Sequence, residues 1–263
     1  MPTSSLFVKI NFKADLPEKA QNARKEMEKT HKTIVALGGG EIKSKTTLKI
    51  DEYVASLAYK RAGGRRPAGL FLGTASHDSM PYFNSFRKTY TSVFDIKADV
   101  ALTVYGEMDL PHIEEKFLKA DFLYIGGGDT KFMLDSWKET GLIGLVLDAY
   151  DRGVPVAGLS AGAICWFDKM YTDFDIIRGQ SNEYKMLDGL GILRGTVCPH
   201  YDDRREDFLR AFAAGGFESA VALENNAALV YEDGAPVKTL SSGGRVFSLT
   251  RNGEAIEEKE LLI

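Results

Sequence analysis

The five residues Gly158-Leu159-Ser160-Ala161-Gly162 set a serine between two glycines, where the apolar run VPVAG (154–158) hands over to a segment with helical spacing. So tight a strand-to-helix turn brings backbone against backbone. Glycine two positions to either side removes the side chains that would collide, and the hydroxyl projects beyond the carboxyl end of the strand. The helix that follows offers its positive end and unpaired N–H groups to a developing oxyanion. The chemistry predicted is nucleophilic attack by Ser160.

A serine hydroxyl needs a general base to attack at neutral pH. The chain has four histidines. His31 lies in a charged N-terminal segment and His112 at a helix start, positions that suit surface or capping roles. His77, in GTASHDS, follows a strand on the side where a ligand crevice forms. His200, in GTVCPHYDD, follows a short apolar strand downstream of the serine and is expected to be the base. An acid should orient the imidazole and stabilise its protonated form. The stretch DKMYTDFD supplies Asp168, Asp173 and Asp175, of which Asp173 is the first choice and Asp175 the second.

These residues need elements to hold them. TIVALGGG (33–40), AGLFLGTA (68–75), ADVALTVYG (98–106), DFLYIGGG (121–128) and VPVAGLS (154–160) are continuous apolar runs ending at glycine or a small polar residue, as buried parallel strands do. Segments with helical spacing lie between them, among them TKFMLDSWKETGLIGLVLDAYDRG (130–153). The alternation predicts an α/β fold with a mostly parallel sheet flanked by helices. In the last third, SAVALE, AALVYEDG, PVKTLSSGG and RVFSLTRNG are closely spaced strands with hairpin turn residues, expected to extend the same sheet in antiparallel fashion. Residues 1–32 read as an N-terminal extension with an edge strand in SLFVKINF and a charged helix capped by Asp15, and residues 33–263 as a single domain.

The chain of 263 residues is 44% hydrophobic and 27% charged, an ordinary globular balance. A formal net charge of −4 offers no basic stripe for nucleic acid. No apolar run is long enough for a membrane span, and no secretory signal is recognisable. The two cysteines, Cys165 and Cys198, make neither a disulfide framework nor a zinc site and suit a reducing, cytoplasmic compartment. No metal or other cofactor is expected, and a homodimer is the default assembly.

Taken together, GLSAGAICWF, YIGGGDTKFML, TASHDS and CPHYD resemble the serine peptidases of the peptidase E (aspartyl dipeptidase) and cyanophycinase family, whose fold is related to class I glutamine amidotransferases. The resemblance spans roughly residues 33 to 240. It implies Ser160 as nucleophile, His200 as base and an acid some fifteen positions after the serine, near which Asp173 and Asp175 both fall. It further implies an oxyanion hole built from the glycine loop, Gly127 and Gly128, together with the N–H of Ala161. Where the family often has Asn after the glycines this chain has Asp129, an acceptor only, which stands as a candidate substrate contact.

The activity expected is hydrolysis of short peptides through a Ser-His-Asp triad, with N-terminal aspartyl dipeptides among the candidate substrates. For an acidic substrate, DDRRED offers Arg204 and Arg205; Arg205 is the candidate for carboxylate capture. Two alternatives compete: an esterase of the α/β-hydrolase type, which shares the order of Ser, acid and His, and a glycine-rich protein that binds a small ligand without catalysis.

Overall fold

The apolar run TIVAL forms strand β1 (Thr33–Leu37), buried along its whole length because both faces of its sheet are covered. Its neighbours in chain order are β2 (Ala68–Leu72), β3 (Lys97–Ala101), β4 (Phe122–Ile125) and β5 (Val156–Leu159). These five strands run parallel in the order β1-β5-β4-β2-β3. The structure is a computed structural model that describes residues 31–106, 108–253 and 255–263. The strand and helix expected within residues 1–30 lie outside the described residues.

Side chains alternate between two cores, the period of two that an extended strand imposes. Helices α1 (Leu48–Ala62) and α2 (Met80–Phe94) bury Val54, Phe86 and Tyr90 against Val35, Leu37, Phe71 and Leu159 on one face. On the other, α3 (Leu110–Lys119), α4 (Thr130–Thr140) and α5 (Leu142–Asp151) bury Phe117, Trp137 and Val146 against Ile34, Leu70, Leu123 and Val156. The single helical stretch expected over 130–153 is two helices. Gly141 breaks it with a left-handed φ of 77°, which glycine adopts without strain.

The expectation that the C-terminal strands extend one sheet is half met. Strand β5 ends at the serine turn, and the helix beyond it, α6 (Ala161–Ile164), is a single turn. Four residues rise only about 6 Å, too little to carry the chain back over the first sheet. The next strand, β6 (Phe167–Thr172), therefore starts a second sheet with β7 (Lys185–Asp188), β8 (Leu193–Pro199) and β9 (Ser219–Leu223). Two further α-helices belong here: the short α7 (Phe174–Ile177) after β6, and the 15-residue α8 (Tyr201–Gly215), the crossover between parallel strands β8 and β9. β10 (Ala227–Glu232) and β11 (Ala235–Ser241) return to the first sheet, antiparallel to β1 and to each other. β12 (Val246–Asn252) and β13 (Ala255–Glu260) finish the second, with strand order β13-β12-β9-β8-β6-β7.

The second sheet turns Phe167, Met170, Val197 and Leu223 toward the core that also holds α6. Its outer face packs Tyr171, Cys198 and Leu249 against Phe208 and Phe212 of α8. The carboxyl ends of β5 and β8 thus meet at one place. Among the described residues no helix is long and apolar enough to cross a membrane.

Candidate active site

Ser160 occupies φ 51°, ψ −110°, a conformation that costs a non-glycine residue about 1–3 kcal/mol and persists only where its surroundings enforce it. They do so through space. A Cβ on Gly158 would stand 2.0 Å from the carbonyl oxygen of Gly162, and one on Gly162 would stand 2.2 Å from that of Ile125. The serine N–H is tied to the carbonyl of Leu37 at 2.9 Å, which fixes the turn to β1. With Ala161 and Ala163 fully buried behind it, the turn has one direction left for the hydroxyl.

That direction is His200, whose Nε2 lies 2.6 Å from Ser160 Oγ. His200 follows Pro199 at the end of β8, as the N-cap of α8, and is itself held at φ 128°. Its Nδ1 is 2.9 Å from Asn225 Oδ1. The amide orientation follows from what lies behind: Asn225 Nδ2 donates to Asp202 Oδ2 at 3.0 Å and to Asp203 Oδ2 at 2.8 Å, so only the oxygen is left to face the ring. Nδ1 then carries the proton, and Nε2 presents its lone pair to the serine, an assignment by hydrogen-bond complementarity. Gly39 makes room for the pair, since a Cβ there would lie 2.1 Å from Asn225 Oδ1 and 2.3 Å from His200 Nδ1. Burial, then the Arg204 guanidinium, lowers the His200 pKa from the ordinary histidine value; the Asn225 hydrogen bond and the charges of Asp173 and Asp203 oppose them.

The acids expected beside the base have other partners. Asp173 lines the site but pairs with Arg204 at 2.7 Å, and the buried guanidinium lies over the ring of Tyr184. Asp175 pairs with Lys185. Asp168 accepts the N–H of Gly195 at 3.0 Å, away from His200. The other histidines are elsewhere too: His31 lies 2.6 Å from Asp233, and the ring of His77 packs on Phe132.

The glycine loop lies across from the serine. Gly127 is so close that a Cβ on it would sit 3.3 Å from Ser160 Cβ, and Gly128 is at φ 136°, where a Cβ would meet the Ala75 carbonyl oxygen at 2.2 Å. Among the described residues the N–H groups of Gly128 and Ala161 have no hydrogen-bond acceptor, as an oxyanion site requires. The N–H of Gly127 is engaged, donating to the Tyr82 hydroxyl at 3.3 Å. The two expected substrate contacts lie outside the cavity lining. Asp129 caps α4 by accepting the N–H of Phe132 at 2.8 Å and pairs with Arg178 at 2.6 Å. Arg205 forks onto Glu258 of β13, with Nε at 3.1 Å from Oε1.

A cavity of about 310 Å³ opens over the serine, walled by Glu41, Ile42, Tyr82, Leu159 and Ile177 in addition to the groups above. Among the described residues no group of three His, Cys, Asp or Glu side chains could hold a metal. Sequence reasoning missed Asn225 and Tyr82. Asn225 had a usable signal: the polar pair Asn225-Asn226 follows the apolar run of β9, at the strand end where β8 delivers His200.

The arrangement can do acyl transfer: a hydroxyl in contact with a neutral imidazole, unpaired N–H groups beside it, and a cavity for the acyl compound. Comparison with known proteins points the same way. The pattern of Peptidase family S51 matches residues 23–238. The chain is 33% identical over 215 residues to the peptidase YgaJ of Bacillus subtilis (strain 168), covering 80% of this chain and 88% of its relative. Its fold resembles that of a peptidase from an acI-B1 Actinobacterium, with a TM-score of 0.61 at 19% identity over 88% of this chain and 96% of that one. A chain from Listeria monocytogenes EGD-e named for peptidase E gives a TM-score of 0.56 at 18% identity, over 80% and 98% of the two chains. The protein belongs to Peptidase family S51, the serine peptidases that include peptidase E and cyanophycinase.

Proposed function

We propose that the protein hydrolyses short peptides through Ser160 and His200, with Asn225 holding the imidazole. The observation that carries this reading is the 2.6 Å contact between Ser160 Oγ and His200 Nε2 on a strained turn at the mouth of the cavity. His200 takes the hydroxyl proton as Oγ attacks the scissile carbonyl, and the N–H groups of Gly128 and Ala161 receive the oxyanion. The imidazolium then protonates the departing amine, and a water activated by the same nitrogen releases the acyl group. Asn225 supports the ring from Nδ1, and the carboxylates of Asp202 and Asp203 place negative charge one amide away from the imidazolium.

Cavity size and charge narrow the substrate. About 310 Å³ is at the small end of ligand sites, which run from about 300 to 1,000 Å³, and suits a residue or two rather than a long chain. The cations around the site already have carboxylate partners: Arg204 on Asp173, Lys185 on Asp175, Arg178 on Asp129 and Arg205 on Glu258. An aspartyl side chain would have to displace one of them, so dipeptides with a neutral first residue are the preferred class. Two unpaired, buried thiols accord with a cytoplasmic setting.

The experiment is labelling with a fluorophosphonate followed by a dipeptide screen. Wild type should label at Ser160 and cleave neutral dipeptides faster than Asp-Xaa. Ser160→Ala should do neither while melting at the wild-type temperature. Turnover by Ser160→Ala would refute the assignment.

A further inference from the structure

Tyr82 has no place in the reading above, yet it lines the same cavity as Ser160, Gly127 and Gly128. It enters the cavity wall from the first turn of α2, where Ser79 caps the helix and Pro81 pre-sets its start. The ring is fixed edge-on to Phe71, with centroids 5.1 Å apart, and occupies space that Gly126 leaves free: a Cβ there would approach the ring to 2.8 Å. Two glycines of the loop thus serve the tyrosine, one by yielding to its ring and one by donating its N–H to the hydroxyl at 3.3 Å.

The direction of that last hydrogen bond decides the chemistry. The phenol oxygen accepts from Gly127, and the phenol proton has no acceptor among the described residues. A hydroxyl that accepts from an amide is polarised toward being a better donor. Desolvation pushes its pKa up to about 12, so the proton is present at any working pH. Gly127, whose own N–H is engaged, lies against Ser160, and the phenol bonded to it lines the same cavity as the serine and Gly128.

We propose that the Tyr82 hydroxyl is the third donor of the oxyanion hole, beside the N–H groups of Gly128 and Ala161, standing in for the N–H of Gly127. This rests on the assignment of Ser160 as nucleophile. The phenol forms no bond to substrate; it donates a hydrogen bond that strengthens as the carbonyl oxygen gains charge.

Tyr82→Phe keeps the ring and removes the hydroxyl, which is both the proposed donor and the acceptor of the Gly127 N–H. With a dipeptide that wild type cleaves, kcat should fall about 10- to 100-fold, less than the roughly 100- to 1,000-fold typical of losing one oxyanion donor because the freed Gly127 N–H compensates in part. KM should stay within about twofold, and the rate of fluorophosphonate labelling should fall in parallel, since the phosphoryl oxygen uses the same donors. In a crystal structure of the wild-type phosphonylated adduct the phosphoryl oxygen should lie within hydrogen-bond distance of the Tyr82 hydroxyl. A variant with unchanged kcat, or with raised KM alone, overturns the proposal, as does an adduct whose oxygen points away from Tyr82. Failure of wild type to label at Ser160 would instead strike the assignment of the nucleophile.

Discussion

Replacing Asn225 by Ala and, separately, Asp173 by Asn tests which group orients His200. The first substitution removes the 2.9 Å hydrogen bond at Nδ1 and leaves a mostly buried imidazole N–H without an acceptor. Such an orphaned group costs about 1–3 kcal/mol, which at 1.4 kcal/mol per decade is roughly a 5- to 100-fold loss in kcat/KM. The ring also becomes free to present the wrong nitrogen, so kcat carries most of the loss. Asp173→Asn acts differently. It leaves the Arg204 guanidinium, 6% exposed, without its carboxylate; because Asp173 itself is 26% exposed, the stability lost should be below the about 3–5 kcal/mol of a fully buried pair broken from one side. Because the Asp173 charge raises the His200 pKa, its removal also lets the acid limb of kcat/KM against pH slide downward. The assay is the pH profile of dipeptide hydrolysis together with thermal melts of both variants. Asn225→Ala should be slow but stable, Asp173→Asn less stable but within a few-fold of wild-type kcat at pH 8. A folded Asp173→Asn that loses a hundredfold in kcat beside a near-normal Asn225→Ala would refute the role given to the asparagine.

Further outcomes can be checked directly. In wild type the acid limb of kcat/KM should fall below the ordinary histidine value near 6.5, because burial favours the neutral imidazole that acts as base. Asp51, buried between the hydroxyls of Thr47 and Tyr90, has its pKa raised to about 6 by desolvation. Its protonated form is the one the fold prefers, so its contribution is fully present below pH 4 and lost as pH rises through about 6. Asp51→Asn should therefore gain on wild type in urea melts between those limits, by about 3 kcal/mol at most, and an unchanged difference across the range would contradict the assignment. Gly162→Ala puts a Cβ 2.2 Å from the Ile125 carbonyl oxygen, backbone that cannot swing aside, and should abolish labelling of Ser160 with a lowered melting temperature; normal labelling would mean the turn is not as tight as described.

What could be read from the sequence was what is local. Ser160 announced itself because the small residues that the turn demands are its immediate neighbours, and β1, β2, β4 and β5 were legible because strands covered on both faces are continuously apolar. The break at Gly141 and the start of a second sheet were not legible. Each depends on how far four or ten residues reach in three dimensions. The group opposite His200 Nδ1 was missed for a related reason. Asp202 and Asp203 open α8 while Asn225 follows β9, and only the β8-α8-β9 crossover brings them together. Asp173, the first choice among the acids between Ser160 and His200, lines the same cavity as the base, but nothing local in the sequence reveals that the buried Arg204 of α8 pairs with it.

Ser160 closes a strand of one sheet and His200 a strand of the other, so their 2.6 Å separation is a measure of how the two sheets are aligned. The spacer between them is thin: one helical turn of small residues, then the fully buried Cys165 and Trp166, whose indole N–H reaches back to the Gly162 carbonyl at 3.1 Å. Slippage of about 1 Å in that spacer would leave both sheets folded, while an attack geometry misplaced by that much loses about two decades in rate. Turnover is therefore a finer sensor of packing at this seam than any melting curve. Conservative changes at Ile164 or Trp166, both buried and neither lining the cavity, should silence the enzyme well before they unfold it.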